Sequence, residues 1–192
     1  ARGARCGPIP IAAASPCRRE LLTEMMEDHR NITPAFAVSE PYVFDGLEFG
    51  FDARSHRFAT AIYLAQEARF RETGLLTAVS EGHLDQKPYF AYATVWGGGE
   101  PWAVMSFKGE RLDSMRTLAT KTAFAWYGLF GTKHAQQLVA KVAPLGDAER
   151  GWAEGIYEID GKTNTSVTSN TNAIILAALA FRAHGPLIRA EK

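Results

Sequence analysis

The sequence predicts an all-α protein, built from helical hairpins that are joined by long aromatic loops. Five or six segments have the apolar spacing and the terminal residues of helices, and short turns connect several of them into antiparallel pairs. Residues 75–109, in contrast, are interrupted by Pro and Gly and carry too many aromatic side chains for a solvated linker. Antiparallel helix pairs of this kind form bundles or toroids, and a long loop inside a compact domain is usually functional.

Length and composition are those of one globular unit. The chain has 192 residues, of which 46% are hydrophobic and 22% are charged, so it can bury a substantial core. We treat residues 1–192 as one unit, with residues 1–35 as an irregular leading segment. The 21 Lys and Arg residues balance the 21 Asp and Glu residues, and no apolar run approaches the ~18 residues of a membrane span. Neither nucleic-acid binding nor a membrane-spanning segment is expected.

Three helices are predicted in the N-terminal half of the chain. A polar helix covers about residues 18–29. A short helix covers residues 39–50, where Ser39 suits the cap position and Glu40 suits the positive end of the helix dipole. A longer helix covers residues 55–73 and stops at a glycine.

The C-terminal half is predicted to return to helix after the aromatic segment. Residues 75–109 are expected to form a long loop with at most one short strand. Helices at 114–130 and 133–142 form a pair across a short turn, and residues 155–164 form a β-hairpin around an Asp-Gly turn. A last helix covers residues 169–183 and ends at a His-Gly-Pro stop signal.

Two cysteines, Cys6 and Cys17, flank a loop rich in Pro and Ala. They are compatible with one disulfide in an oxidising compartment or with two unpaired thiols, and the pattern leaves both open. Their spacing is not that of a metal site. Because prolines interrupt every apolar run near them, the segment is not predicted to be a signal peptide.

Three groups of carboxylates and aromatic residues are candidates for chemistry. In the first, Glu40 and Glu48 lie about two helical turns apart, with Tyr42 and Asp45 between them. Paired carboxylates suit general acid–base catalysis, in which one donates a proton and the other acts as base or nucleophile. The alternative is that Glu40 only stabilises the helix dipole while Asp45 and Glu48 are solvated.

The second group begins with Glu81, His83 and Asp85, and continues with Tyr89 and Trp102. Aromatic faces stack on the apolar faces of sugars, and carboxylates accept hydrogen bonds from hydroxyl groups. The alternative is a buried aromatic loop that closes a hydrophobic core. Neighbouring rings remove water from a carboxylate and raise its pKa, which suits a proton donor. Glu81 is therefore predicted to line the main cleft, within reach of Tyr89 or Trp102.

The third group combines carboxylates, aromatic rings and amides near the C-terminus. Its members are Trp152, Glu154, Tyr157, Glu158, Asn170 and Asn172. The two amides either cap the last helix, which is the commoner use, or point into a cleft.

Absent motifs narrow the class of function further. The sequence has no G-x-S-x-G, no phosphate-binding loop followed by Lys, no dinucleotide glycine pattern, no H-E-x-x-H and no zinc-type cysteine spacing. Nucleotide-dependent and zinc-dependent enzymes are therefore not expected, and neither a cofactor nor a metal site is predicted.

Several segments together resemble the C-terminal half of an uncharacterised bacterial family, domain of unknown function 3131. They are residues 7–10, 38–50, 66–69, 73–77, 80–81, 88–90, 120–124, 151–158 and 170–172. That family often accompanies polysaccharide-synthesis systems and is similar in pattern to glucoamylase-like six-hairpin (α/α) toroids. The resemblance implies about half of such a toroid. A half ring would expose an apolar edge, so we expect it to pair with its missing N-terminal half or with a second copy.

Resemblance and residue chemistry together predict part of a carbohydrate-active enzyme. It would be a glycoside hydrolase or transglycosylase that acts on a bacterial glucan or exopolysaccharide in the periplasm or elsewhere outside the cytoplasm. Glu40 and Glu81 are the first candidates for the catalytic carboxylates, and Glu48, Glu154 and Glu158 are alternates. The predicted sugar-binding residues are Tyr42, Asp45, Tyr89, Trp102, Trp152, Glu154, Tyr157, Asn170 and Asn172.

Two other interpretations of the same sequence stay open. One is a non-catalytic polysaccharide-binding or scaffold domain, in which no carboxyl pair has the separation of about 5–9.5 Å that glycosidases use. The other is a structural helical domain whose aromatic residues all lie in the core.

Overall fold

Small antiparallel sheets lie among the helices, so the fold is mixed α and β. The computed structural model describes residues 36–188. Within that range there are five α-helices and ten strands, and the strands form four antiparallel sheets. The predicted all-α class, half of an (α/α) toroid, is therefore wrong. Each strand has only two to four residues, which is too short to produce a visible period-two pattern in the sequence.

The five helices correspond to predicted helices. They are α1 (Glu40–Phe44), α2 (Ala53–Thr73), α3 (Thr120–Phe130), α4 (Lys133–Val142) and α5 (Ser169–His184). A π-helical turn, Asp45–Phe49, continues α1. The predicted ends at Gly74 and Gly131 are confirmed, because both glycines follow a helix with a positive φ that few other residues adopt. The predicted helix at 18–29 and both cysteines lie outside the described residues.

Residues 75–109 contain five strands, so the prediction of a long loop with at most one short strand is wrong for this segment. The strands are β1 (Glu81–His83), β2 (Phe90–Ala93), β3 (Trp96–Gly97), β4 (Glu100–Pro101), β5 (Val104–Met105), β6 (Thr117–Ala119), β7 (Gly146–Asp147), β8 (Gly151–Trp152), β9 (Gly155–Tyr157) and β10 (Thr163–Asn164). The sheet orders are β1-β2-β5 and β10-β9-β6, and the pairs β3-β4 and β7-β8 are separate hairpins. The predicted hairpin within 155–164 is confirmed as β9–β10.

Strand β6 also explains why α3 begins later than predicted. Residues Thr117–Ala119 pair with β9, with Leu118 opposite Ile156 and Ala119 opposite Gly155. The helix starts at the next residue, Thr120. The backbone groups of residues 117–119, which the sequence pattern assigned to the first part of the helix, are therefore hydrogen bonded to the distant strand β9 instead.

Helix α3 is the centre of the hydrophobic core. It packs against α4, α5 and α1, and its Trp126 is fully buried. The close approach of α3 to α5 depends on Gly128, since a Cβ atom there would lie 2.9 Å from the carbonyl oxygen of Ala178. Small residues at such a crossing allow two helix backbones to pack closely.

His134 is buried in α4 without a hydrogen-bond partner. Within residues 36–188, neither of its ring nitrogens is hydrogen bonded. The ring stacks on Phe70 of α2, with 5.1 Å between centroids, and lies 6.0 Å from the ring of Tyr63. Burial lowers the pKa of His134, and the nearby charge of Glu67 opposes this effect only in part. The imidazole is therefore neutral in the folded protein near pH 7.

We expect His134 to make the protein less stable as the pH falls. Because its pKa is lower in the folded than in the unfolded chain, the unfolded chain binds more protons once the pH drops through the ordinary histidine value of ~6.5. The free energy of unfolding in urea should thus decrease more in the wild type than in His134→Leu between about pH 7.5 and about pH 5.5.

Leu138 provides the control, because it is fully buried in the same helix and does not titrate. Leu138→Ala should lower the free energy of unfolding by a similar amount at each pH, so its curve should run parallel to that of the wild type. Parallel curves for the wild type and His134→Leu would contradict the prediction.

Candidate functional site

A buried lysine lies where the N-terminal ends of three helices converge. The side chain of Lys121, in the first turn of α3, is 3% exposed and forms an ion pair with Glu40 of α1, which is 13% exposed. Lys121 Nζ also donates a hydrogen bond to Asn170 Oδ1 of α5 at 2.7 Å. Asn170 Nδ2 in turn donates to Glu40 Oε1 at 3.2 Å. The three side chains form a closed polar triangle.

Glu81 lies beside this triangle, half-buried at the start of β1. Burial raises the pKa of Glu81, and the negative charge of Glu40 raises it further. The charge of Lys121 and a hydrogen bond from Ser80 Oγ to Glu81 Oε2, at 3.2 Å, offset this only in part. A carboxyl group in such surroundings keeps its proton to a higher pH than an ordinary glutamate and suits a general acid.

A buried hydrogen-bond network holds the chain just before Glu40 and just before Glu81. Ser39 Oγ donates to the carbonyl oxygen of Val79 at 2.6 Å, and the amide N–H of Val79 donates to Gln66 Oε1 at 2.7 Å. Gln66 Nε2 donates to Ser39 Oγ at 3.2 Å. The predicted capping role of Ser39 is wrong, because its side chain makes no cap hydrogen bond. Ser39 instead joins α1 to the segment that carries Glu81.

Glu154 supplies a third carboxylate on the other side of β1. It is 3% exposed, and its Oε1 accepts a hydrogen bond from Thr168 Oγ1 at 2.5 Å. A Cβ atom on Gly82 would lie 3.1 Å from Glu154 Oε2. Because successive residues of a strand point to opposite faces, Glu154 lies under the face of β1 opposite to Glu81. Glu154 therefore packs against β1 from the side away from Glu81 and joins that strand to Thr168, the cap residue of α5.

Glu158, predicted as an alternate catalytic residue, belongs to a separate ion-pair network. Its carboxylate oxygens bind Arg69 at 2.6 and 2.7 Å, and Oε1 also binds Arg116 at 2.9 Å. Burial alone would raise its pKa, but the hydrogen bonds and charges of the two guanidinium groups outweigh burial and lower it. Trp102 belongs to the same network, with the Arg69 guanidinium 5.4 Å from its ring centroid. No hydrogen bond in the described part of the chain joins Trp102 to Glu81.

Tyr157 and Asp85 also form a link between segments. The Tyr157 hydroxyl donates to Asp85 Oδ1 at 2.7 Å, and burial together with this bond raises the pKa of Tyr157 to about 12. Asp85 Oδ2 accepts from the N–H and the hydroxyl of Thr165, at 2.8 and 2.9 Å. These bonds connect the end of β1 to the β9–β10 hairpin.

Asn172 and Trp152 are likewise joined to each other. Asn172 Oδ1 accepts a hydrogen bond from the backbone N–H of Trp152 at 2.8 Å, and Asn172 Nδ2 donates to the backbone carbonyl oxygen of Trp152 at 3.1 Å. The Trp152 ring packs edge-on against Phe124, with centroids 5.5 Å apart. This amide anchors β8 to α5, whereas Asn170 faces the lysine.

The remaining predicted residues are not members of the triangle. Tyr42 and Asp45 line a cavity of about 400 Å³ with Phe58, and burial together with the charge of Asp52 raises the pKa of Asp45. Tyr89 is exposed in the turn between β1 and β2.

Glu48, the other predicted partner of Glu40, is half-buried in the π-helical turn. No hydrogen bond or ion pair in the described part of the chain joins its side chain to Glu40 or Glu81.

The structure thus brings together three of the predicted site residues, which are Glu40, Glu81 and Asn170, and it places Glu154 behind the opposite face of β1. Sequence reasoning missed Lys121 and Thr168. The signal for Lys121 was present, since a lysine in the first turn of a strongly apolar helix requires an anionic partner once it is buried. Among residues 36–188, no group of three or more His, Cys, Asp or Glu side chains has the arrangement of a metal site.

Comparisons with known proteins identify one family. The model described as a protein of unknown function, DUF3131, matches residues 19–185. No curated protein and no solved structure matches the chain. Within the described range, none of the helices combines the length and the apolar character that crossing a membrane would require.

We expect the Lys121–Glu40 pair to be essential for stability. Lys121→Met removes the cation and leaves Glu40 partly buried without its counter-charge, which should lower the free energy of unfolding by about 3 kcal/mol or more. The double variant Lys121→Met/Glu40→Gln removes both charges and should recover part of that loss. Urea denaturation of the three proteins measures both effects.

An exposed ion pair of the same type provides the control. At the surface, Lys162 Nζ lies 2.9 Å from Asp160 Oδ2. Lys162→Met should therefore lower the free energy of unfolding far less than Lys121→Met does. Equal losses in the two single variants would contradict the assignment of Lys121 as a buried charge centre.

Proposed function

We propose that the chain, which belongs to the DUF3131 family of proteins of unknown function, acts as part of a carbohydrate-active enzyme that cleaves or transfers glycosidic bonds. The observation that carries the proposal is the contrast between two neighbouring carboxylates. Glu40 is ion-paired with a buried lysine, whereas burial and the charge of Glu40 raise the pKa of Glu81. Two carboxyl groups whose surroundings differ in this way can divide the roles of acid and base.

In the proposed reaction, Glu81 is the general acid. It donates its proton to the glycosidic oxygen while the bond between that oxygen and the anomeric carbon breaks. Glu40 is the second carboxylate, which either activates a water molecule or attacks the anomeric carbon to form a glycosyl ester that water then hydrolyses. A sugar hydroxyl in place of water gives transglycosylation. Glu81 then takes up the proton of the attacking water or hydroxyl, or regains one from solvent.

Lys121 and Asn170 have supporting roles in this scheme. The Lys121 ammonium orients Glu40 through direct contact, and Asn170, an exposed residue, is hydrogen bonded to both. An amide donates to and accepts from hydroxyl groups, which suits a sugar substrate.

Further support comes from the sequence. Its resemblance to glucoamylase-like proteins and the association of its family with polysaccharide synthesis favour a glucan or exopolysaccharide as substrate. We accordingly propose a periplasmic or other extracytoplasmic location.

One observation favours the alternative of a non-catalytic polysaccharide-binding domain. Both oxygens of Glu40 are already engaged, one by Lys121 and one by Asn170. If these bonds persist with a glycan bound, Glu40 only supports the structure, and Glu81 and Asn170 bind hydroxyl groups without chemistry. Both the enzyme and the non-catalytic domain would bind a glycan, but only the enzyme would release products.

We expect Glu81→Gln to lower turnover by at least ~100-fold, because general acid catalysis contributes at least this much. The assay uses the full-length protein that contains this chain with a panel of linear and cyclic α- and β-glucans, and it measures released reducing ends and transfer products. Glu149→Gln, at an exposed position in the turn between β7 and β8, is the matched control and should retain wild-type turnover.

The pH profile gives a second readout of the same residue. A general acid must be protonated, so the rate should fall as the pH rises through the raised pKa of Glu81. Near-normal activity of Glu81→Gln would remove Glu81 from the mechanism. Binding of a glucan without any product from the wild type would favour the non-catalytic alternative.

A further inference from the structure

A row of aromatic rings lies next to Glu81 on the β1–β2 hairpin. Tyr92 of β2 is directly opposite Glu81 of β1, and Phe90 is directly opposite His83. Directly opposed residues of antiparallel strands project from the same face of the sheet, as do residues two apart along one strand. The side chains of Glu81, Tyr92, His83 and Phe90 therefore share one face.

The rings are in continuous contact along this face. Centroid distances are 5.1 Å from Phe36 to Tyr92, 5.2 Å from Tyr92 to Phe90 and 5.2 Å from Phe90 to His83. We call these four residues the hairpin ring row. His83 is exposed and the other three are half-buried, so solvent reaches the row along its length. Rings that served only to fill a core would be covered by other side chains.

The glycine-rich β3–β4 hairpin lies against the Phe36 end of the row. A Cβ atom on Gly97 would lie 3.1 Å from a ring carbon of Phe36, and one on Gly98 would lie 3.3 Å from Cε of Met105. Met105 is opposite Tyr92 and therefore on the same face. The backbone of the β3–β4 turn thus packs against this end of the row without placing a side chain on it. The glycines have other roles too, since a Cβ atom on Gly97 would lie 2.8 Å from Thr94 Oγ1, and both Gly98 and Gly99 have positive φ values.

We propose that the hairpin ring row binds successive sugar rings of an extended, uncharged glycan, next to the bond that Glu81 protonates. The inference rests on the proposed function and specifies its substrate as a chain of several sugar units. Tyr92 pairs with Glu81 across the β1–β2 ladder, so the row lies next to the candidate catalytic carboxylate. Aromatic rings offer apolar surface for the C–H faces of sugars.

The length and charge of the row determine what it selects. Three ring spacings exceed the size of one sugar, so a monosaccharide would occupy only part of the row. Glu81 lies beside Tyr92, the second residue of the row, with Glu40 close enough for its charge to act on Glu81. A polyanionic chain would be repelled there, whereas a neutral glucan would not.

The test measures binding in a protein that does not cleave. Glu81→Gln is run in native gels that contain barley β-glucan, laminarin or dextran, with alginate as the polyanionic comparison. We expect at least one neutral glucan, and not alginate, to retard the protein. Adding Tyr92→Ala should weaken that retardation by about tenfold, equal to about 1.4 kcal/mol. Tyr92→Leu, which keeps apolar volume in the sheet, should have a similar effect if the alanine variant fails to fold.

An exposed aromatic residue away from the hairpin supplies the matched control. Phe49, in the π-helical turn, is 62% exposed, and Phe49→Ala in the Glu81→Gln background should bind as that background does. Titration with oligosaccharides of the retained glucan should show affinity that rises with chain length, and Tyr92→Leu should lose this rise.

The outcomes separate this inference from the proposed function. Unchanged retardation in both Tyr92 variants, or no retardation by any neutral glucan, overturns the ring row as the glycan subsite, whatever Glu81→Gln does to turnover. Retardation that depends on Tyr92 supports the row even if the wild type releases no product, in which case only the catalytic proposal falls.

Discussion

The buried ammonium group of Lys121 is the constraint around which the described part of the chain is organised. An unpaired charge in the interior costs several kcal/mol, so the fold must bring an anion to it. Glu40 supplies that anion and Asn170 supplies a further acceptor. These residues lie in the first turns of three different helices, so satisfying one cation determines how the helices meet. The side chains that solve this problem of stability also form the polar centre of the candidate site.

The same arrangement makes the surroundings of neighbouring carboxylates unequal. Glu40 is compensated by direct contact with the lysine, whereas among residues 36–188 the one side-chain hydrogen bond of Glu81 is to the hydroxyl of Ser80. The Ser39–Gln66 contact and their shared attachment to Val79 keep the two segments in register. A difference in environment of this kind is what allows two chemically identical groups to perform different steps.

Several residue patterns that suggest a sugar site in the sequence have structural roles. Glu158 is neutralised by Arg69 and Arg116, and Asn172 anchors the backbone of Trp152. Carboxylates among aromatic residues therefore occur both in sugar sites and in purely structural networks. The hydrogen-bond partners of the side chain distinguish the two cases. A side chain that is fully bonded to guanidinium or backbone groups holds segments together, whereas Glu81 and the solvent-facing ring row retain surface for a ligand.

Local sequence determined the helices and their ends, because capping residues, glycine stops and apolar spacing act within a few positions. Asp52 illustrates this, since its carboxylate accepts from the N–H groups two and three residues ahead and starts α2. Tertiary structure decided the strands and the site. Each strand is too short to have a period of its own, and its backbone bonds come from a distant segment, as β6 obtains them from β9. Lys121 lies 81 positions from Glu40 and 49 from Asn170, and contacts over such separations follow from packing of the whole core, which no local pattern encodes.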